Sequence, residues 1–276
     1  MFDKTWLQEQ FDFTNEVIVF TGGAGVLGSE MVRALLGLGA KVAILTRRPE
    51  RAEDLIKEAP EGRLRAYKSD VVQRDILEDN AEQIQQDLGQ VTTLINAAGG
   101  NQKGATTSPT QSFFDLPQEA LQSVVSVNLL GTILPCQVFG RVMAEQKRGN
   151  IINISSMAAL KPLTKIPAYA SSKAGMTNFT QWLSVHMAQE YAASIRVNAI
   201  APGFFLTEQN RFLLLDEEGD GYTPRGQSII DHTPMGRLGD PKDLISTLLW
   251  LLSPASAFVT GIVVPVDGGF SAFGGI

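Results

Sequence analysis

Val17-Ile18-Val19-Phe20-Thr21-Gly22-Gly23-Ala24-Gly25-Val26-Leu27-Gly28 decides the fold. A β-branched and aromatic run ends abruptly in a glycine-rich turn, and from Leu27 onward the apolar spacing is that of a helix. Gly23, Gly25 and Gly28 set G-x-G-x-x-G between that strand and that helix. Bare backbone there lets a pyrophosphate approach the N–H groups and partial positive charge of a helix N-terminus. A tight turn that needs positive φ would ask for glycine as well, so the turn alone leaves both readings open.

Outward from this turn, apolar runs of strand length at 17–21, 41–45, 64–68, 93–96, 150–154, 195–199 and 262–266 alternate with helical patterns over 27–36, 50–59, 75–88, 117–145, 169–191 and 241–252. Such alternation is the mark of βαβ units. It predicts an α/β fold: a single Rossmann-type doubly wound parallel sheet of seven strands with helices on both faces. No Pro/Gly/Ser-rich linker or repeat divides the chain, so residues 1–276 are expected to form one nucleotide-binding domain. Only 204–239 breaks the rhythm. It follows a strand's carboxyl end, where open α/β sheets bind ligands, and is expected to cover the substrate.

Composition narrows the classes. The 23 basic and 29 acidic residues give a formal net charge of −6, the wrong sign for a protein whose main partner is nucleic acid. Cys136 is the one cysteine, so no internal disulfide is possible, and the reducing cytoplasm is the expected compartment. No apolar run approaches the roughly 18 residues that cross a bilayer, so no membrane is expected. His186 and His232 have no ligand spacing, and no metal site is expected. Met157, Met176 and Met187 read as core or interface filler.

An acidic residue about 20 positions beyond the glycine turn would bond the ribose hydroxyls of NAD. Here the second strand ends Thr46-Arg47-Arg48, with Thr46 where that carboxylate is expected. Loss of the negative charge and gain of a guanidinium suit the 2′-phosphate of NADP, so NADP is the predicted cofactor and NAD the alternative. A solvated turn before a surface helix would also carry Arg47 and Arg48.

Tyr169 and Lys173 lie four apart at the start of a helical pattern, so both side chains emerge on one face. An adjacent ammonium favours phenolate and is expected to draw the tyrosine toward the range of a proton-transfer catalyst. The fifth strand ends Asn153-Ile154-Ser155-Ser156, which brings a hydroxyl to the same edge of the sheet.

These pieces, together with Asp70-Val71, Asn96-Ala97-Ala98-Gly99, Asn128, Pro202-Gly203 with Thr207, and Val266-Asp267-Gly268-Gly269, resemble the short-chain dehydrogenase/reductase family along nearly the whole chain. One departure stands out. The usual T-G-x-x-x-G-x-G of that family would put its middle glycine at Val26, whereas here it is Gly25.

The resemblance implies an oxidoreductase with Tyr169 as general acid in reduction and base in oxidation, and Lys173 lowering its pKa and holding the nicotinamide ribose. Ser156, with Ser155 as the lesser choice, would bond the reacting carbonyl. Asn128 would hold a water linking Lys173 to solvent; the rival reading is a polar residue at a helix irregularity. Gly22, Gly23, Gly25, Val26, Leu27 and Gly28 would take the pyrophosphate. Thr46 and Arg47 would meet the ribose, Asp70 and Val71 the adenine, and Asn96, Ala97, Ala98 and Gly99 the adenosine side. Asn96 could equally stabilise a strand end. Pro202, Gly203, Phe205 and Thr207 would meet the nicotinamide, Thr207 fixing the carboxamide. Asp267-Gly268-Gly269 reads as structural. The resemblance also implies a homotetramer built on the helices at 117–145 and 169–191.

Substrate identity falls on the least regular segments. Asn101, Gln102, Lys161, Lys165, Gln209, Asn210, Arg211 and Arg225 stand around the expected pocket, and polar donors with several cations suit a hydroxylated, anionic small molecule. Asn101, Lys165 and Arg211 are the candidate substrate contacts. The segments around Asn101, Lys161–Tyr169, Pro202–Arg211 and Thr223–Gly226 are similar to the D-mannonate oxidoreductase (fructuronate reductase) subgroup, which implies a D-fructuronate/D-mannonate interconversion. Other sugar-acid or polyol dehydrogenases, such as gluconate 5-dehydrogenase-like members, are the near alternative. A non-catalytic nucleotide-binding sensor or scaffold is the alternative of another class.

Overall fold

A computed structural model describes residues 3–207, 211–216 and 221–275. In chain order the elements begin α1 (Lys4–Gln10), β1 (Val17–Thr21), α2 (Val26–Gly37), β2 (Lys41–Thr46), α3 (Glu53–Glu58), β3 (Leu64–Lys68), α4 (Arg74–Asp87) and β4 (Thr93–Asn96). They continue with α5 (Gln118–Val125), a π turn (Ser126–Leu130), α6 (Gly131–Glu145), β5 (Gly149–Ile154), α7 (Pro167–Glu190) and β6 (Ile195–Pro202). The last are α8 (Arg211–Leu214), α9 (Pro224–Asp231), α10 (Ile245–Leu252) and β7 (Val263–Val266).

The seven strands form one parallel sheet in the order β3-β2-β1-β4-β5-β6-β7. The chain winds outward in both directions from β1 and β4, so the carboxyl ends of these two strands flank the crevice where such sheets bind ligands. The inner strands β1, β2, β4, β5 and β6 are buried on both faces, whereas the edge strands β3 and β7 are partly exposed. Alternate residues feed two cores: Ile18, Phe20, Ile44, Ile95, Ile152 and Ile200 meet α2 and α10 on one side. Val19, Leu45, Leu94, Ile151 and Val197 meet α4, α6 and α7 on the other. Full burial of one such side chain contributes about 1.5–3 kcal/mol, which is why the period-2 pattern holds the strands in register.

Several elements differ from the sequence expectation, each for a visible reason. The helix over 50–59 is a 3₁₀ turn followed by the short α3. That over 241–252 opens as a 3₁₀ turn because Asp240 and Asp243 cap each other's backbone N–H groups before α10 begins. The helix over 117–145 carries a π turn at Ser126–Leu130, and Pro135, which lacks a backbone donor, sits in the next turns. Averaged over Gln118–Glu145, this helical run is long and apolar enough to cross a bilayer, which counting contiguous apolar residues had not shown; half of its most apolar stretch is buried inside the molecule. α1 was not expected. Asp3 caps it by accepting from Trp6 N at 2.9 Å, and none of its residues is buried.

The stretch 204–239 is folded where it is described. Leu215 pairs with Tyr222 between α8 and α9, and Thr223 caps α9. A Cβ at Gly226 would collide with the Leu214 carbonyl, so glycine is what lets the two short helices touch. The segment is rooted where Phe205 bridges Gly239 beside β7.

Candidate active site

The glycine turn is built from both sides. Gly22 has φ +74°, and a Cβ on it would sit 2.9 Å from the Ala97 carbonyl oxygen; one on Gly28 would sit 2.7 Å from the Gly22 oxygen. Gly25 has φ −83° and meets nothing nearer than 3.4 Å. The conformational demand therefore lies on Gly22 and Gly28, and the middle glycine of G-x-G-x-x-G is permissive. Thr21 Oγ1 accepts from Ala97 N and Ala98 N, each at 3.1 Å, and so ties the turn to the end of β4. α2 starts at Val26, and no side chain caps its first turn. Its leading N–H groups and dipole, beside bare glycine backbone, fit a pyrophosphate.

At the end of β2, Thr46 Oγ1 accepts from Arg48 N at 3.2 Å, and Arg47 and Arg48 are exposed. Among the described residues no carboxylate lies within ion-pair reach of either. At the end of β3, Asp70 is half-buried and accepts from Val72 N at 3.2 Å, beside buried Val71. The Asn96 side chain turns away from the crevice into the core, donating to Asn153 Oδ1 at 2.9 Å. Its amide follows the strand-end reading, and only its backbone, with Ala97, Ala98 and Gly99, can line an adenosine.

The four residues expected to act together do meet. Lys173 Nζ, fully buried, donates to the Ile154 carbonyl at 2.7 Å and lies 5.8 Å from the centre of the Tyr169 ring. Ser156 lies beside the Tyr169 phenol, near enough to pull its pKa down, and its hydroxyl accepts from Ala158 N at 3.1 Å. Ser155 points the other way, to Thr177 Oγ1 at 2.9 Å, so geometry selects Ser156 as spacing did.

Asn128 sits in the π turn with both of its amide N–H groups used. It donates to Gly100 O at 2.7 Å and Val124 O at 2.8 Å and accepts from Gly100 N at 3.0 Å. Both readings of this residue meet here. The side chain satisfies backbone at a helix irregularity, while Oδ1, accepting from Gly100 N, and the main-chain carbonyl, accepting from Thr132 Oγ1 at 3.0 Å, each take one of these bonds and have a second lone pair.

The electrostatics also depart from expectation. Burial raises the Tyr169 phenol above its usual value, with the neighbouring Ser156 hydroxyl pulling partly back. Burial alone lowers the Lys173 ammonium to about 7. In the chain by itself desolvation outweighs the expected help of lysine to tyrosine, because an ammonium this deeply buried is itself disfavoured.

On the substrate side, Asn101 donates to Thr106 Oγ1 in its own loop and Gln102 donates to Ala120 O on α5. Lys165 holds φ +75°, a left-handed conformation uncommon for lysine, and its carbonyl accepts from Thr107 N at 2.9 Å. Arg211 is exposed at the start of α8, its N–H donating to Thr207 O at 2.9 Å. Among the described residues Lys161, Lys165, Arg211 and Arg225 have no carboxylate in ion-pair reach. Gln209 and Asn210 lie outside the described residues.

His186 stacks on Trp182 along the outer side of α7, and His232 lies near Phe270 and Phe273. Met157, Met176 and Met187 are buried. Sequence reasoning missed the roles of Gly100, Thr107, Thr132 and Thr180. Only Gly100 carried a signal, as a second glycine after Gly99.

Comparison with known proteins agrees with this geometry. The model of the short chain dehydrogenase family matches residues 16–218. An uncharacterised oxidoreductase of Bacillus subtilis is 46% identical, the match covering 96% of this chain and 98% of that protein. A solved structure from Haemophilus influenzae, described as a candidate D-mannonate oxidoreductase with bound NAD, is similar at TM-score 0.90 and 42% identity over 98% of this chain and 100% of that one. A gluconate 5-dehydrogenase from Burkholderia cenocepacia, solved with NADP and tartrate, is similar at TM-score 0.85 and 25% identity over 97% of this chain and 99% of that one.

Proposed function

The chain belongs to the short-chain dehydrogenase family, and we propose that it uses NAD(P)(H) to interconvert a ketone and a secondary alcohol on a sugar acid, D-fructuronate and D-mannonate being the favoured pair. The observation that carries the substrate class is the set of exposed cations on the segments that follow β5 and β6, Lys161, Lys165 and Arg211, none with a carboxylate in ion-pair reach among the described residues. The likeness to the candidate D-mannonate oxidoreductase supports the particular pair.

In reduction, the Ser156 and Tyr169 hydroxyls would hold the substrate's ketone oxygen and Tyr169 would give it a proton; the chemistry a bound dinucleotide would supply is hydride transfer. Lys173 holds the nicotinamide ribose and, when charged, stabilises the phenolate left behind. The Asn128 carbonyl holds the water that returns the proton. The α2 N-terminus with Gly22, Gly23, Val26, Leu27 and Gly28 takes the pyrophosphate. Asp70 and Val71 take the adenine, and Pro202, Gly203, Phe205 and Thr207 take the nicotinamide. Arg47, with no acid at Thr46, favours NADPH over NADH. Lys165 or Arg211 clamps the carboxylate, and 204–239 covers it. The exposed apolar side chains of the π turn and α7, Leu130, Trp182 and Val185, suit a homo-oligomer.

A screen of keto-uronates, 5-keto-aldonates and uncharged ketones with NADPH and NADH, read by the absorbance of the reduced nicotinamide, tests this reading. The highest kcat/KM is expected for D-fructuronate. A 5-keto-aldonate turned over best would move the protein to the gluconate 5-dehydrogenase-like reading, and an uncharged ketone turned over best would overturn the sugar-acid class.

A further inference from the structure

Among the buried polar side chains that the mechanism leaves unused, one set links two strands to two helices. Asn96 on β4 and Asn153 on β5 are register partners, and both side chains enter the core that meets α6 and α7. Asn96 Nδ2 donates to Asn153 Oδ1 at 2.9 Å and lies 3.2 Å from Cys136 Sγ on α6. Asn153 Nδ2 donates to Thr180 Oγ1 on α7 at 2.8 Å, and Thr180 in turn donates to Met176 O at 2.9 Å. All four residues are at most 5% exposed. The bar therefore runs from α6 through two central strands to α7.

Its position along the helices is informative. Thr180 follows Lys173 by seven residues and Cys136 follows Asn128 by eight, so each helix is fastened about two turns, roughly 10–12 Å, from the residue it contributes to the active site. Apolar side chains would fill this space without leaving Asn96 Oδ1 buried and unpartnered, as it is here. What directional bonds add is register. Leucine and valine pack acceptably after a small slide or rotation of a helix, whereas an amide-to-hydroxyl bond is lost by one. Nearer the site the α7 end is reinforced by Ser155 on Thr177 and by Lys173 on the Ile154 carbonyl.

We propose that Asn96, Asn153 and Thr180 are positioning residues, a buried bar that sets the register of α7 on the sheet and thereby the placement of Tyr169 and Lys173 relative to the β4 turn. The inference rests on the catalytic reading of Tyr169 and Lys173, and one of its readouts needs no substrate.

Thr180→Val removes the hydroxyl at nearly constant volume, and Thr180→Ser restores it. For each, kcat and KM are measured on whichever keto acid the wild type reduces. The tyrosinate absorbance of Tyr169 is titrated as the difference between each variant and the same variant carrying Tyr169→Phe. Thr180→Val is expected to lower kcat tenfold or more with KM and cofactor Kd within twofold, and to move the Tyr169 midpoint by half a pH unit or more; Thr180→Ser returns both to within twofold and a few tenths of a unit. An unchanged kcat and tyrosinate midpoint in a folded Thr180→Val overturns the proposal, whatever its melting temperature. If that variant does not fold, Thr180→Ala is read against the same two criteria. A protein that reduces no keto acid defeats the functional reading alone, and the tyrosinate titration still decides the bar.

Discussion

Gly99→Ala is the substitution whose consequence the geometry fixes most tightly. A Cβ at this position would lie 2.6 Å from Asn128 Oδ1 and 3.5 Å from Lys173 Nζ. Ordinary contact begins near 3.4 Å, so an opening of about 0.8 Å is required, and an already packed core resists such insertion by about 1–3 kcal/mol. Asn128 cannot swing aside without loss, because its amide is held at 2.7, 2.8 and 3.0 Å by Gly100 and Val124. Breaking two of these bonds costs about 0.5–1.5 kcal/mol each, and a stranded buried amide adds to that. The total is about 2–4 kcal/mol of folding stability. Alternatively the β4 turn lifts into the crevice, and the loss appears as weaker dinucleotide binding. Urea unfolding monitored with a parallel titration of reduced dinucleotide separates the two: either a fall of at least 2 kcal/mol or a tenfold rise in Kd is expected. Gly25→Ala is the control, with φ −83° and nothing within 3.4 Å, and should change stability by less than about 0.5 kcal/mol. If Gly99→Ala matched Gly25→Ala in both measurements, the packing argument around Asn128 would be wrong.

Tyr169→Phe should keep the fold and the cofactor Kd but lose about 10²–10⁴-fold in kcat, the worth of one general acid; retention of a tenth of wild-type turnover would remove Tyr169 from that role. Thr46→Asp with Arg47→Leu should shift preference from NADPH toward NADH, and a wild type that already prefers NADH tenfold would show that Arg47 does not read a 2′-phosphate. Lys173 binds its proton less tightly folded, near 7, than unfolded, so the cofactor-free protein should gain stability as pH rises from about 7 toward about 10, a slope that Lys173→Met should flatten in denaturant titrations. Arg211→Ala should raise KM for the uronate about tenfold with the NADPH Kd little changed. The same loss in Lys165→Ala instead would move the carboxylate clamp to Lys165, and no loss in either would leave the substrate class without a physical basis.

What could be read from the sequence was whatever local chemistry determines. The inner strands were legible because burial on both faces demands a continuous apolar run, and all seven fall within one residue of the expected bounds except where β6 continues to Pro202 beside β7. Ser156, Tyr169 and Lys173 were legible because their spacing obliges them to share the carboxyl edge of one strand and one face of one helix. The π turn was legible only as a rival reading of Asn128, a polar residue at a helix irregularity, because its amide's partner Gly100 lies 28 residues away and no periodicity within 117–145 records it. α1 escaped notice for the opposite reason: it buries no residue, and so has no apolar stripe by which to be recognised.

The direction of the Tyr169 shift was hidden by the same limit. Sequence spacing places an ammonium next to a phenol, and charge alone then predicts an acidic tyrosine. Burial exists only in the folded chain, where Lys173 lies against Gly99 and the Tyr169 phenol is desolvated, and it reverses the sign. Without a cofactor, burial holds the Tyr169 phenol neutral and weakens the proton on Lys173. On the proposed mechanism, ribose hydroxyls and a positive nicotinamide would offset that desolvation and make the two a proton-transfer pair. Cofactor binding and proton affinity at Tyr169 are then linked, and the Asn96–Asn153–Thr180 bar matters because that offset depends on Tyr169 and Lys173 lying where the dinucleotide can reach both.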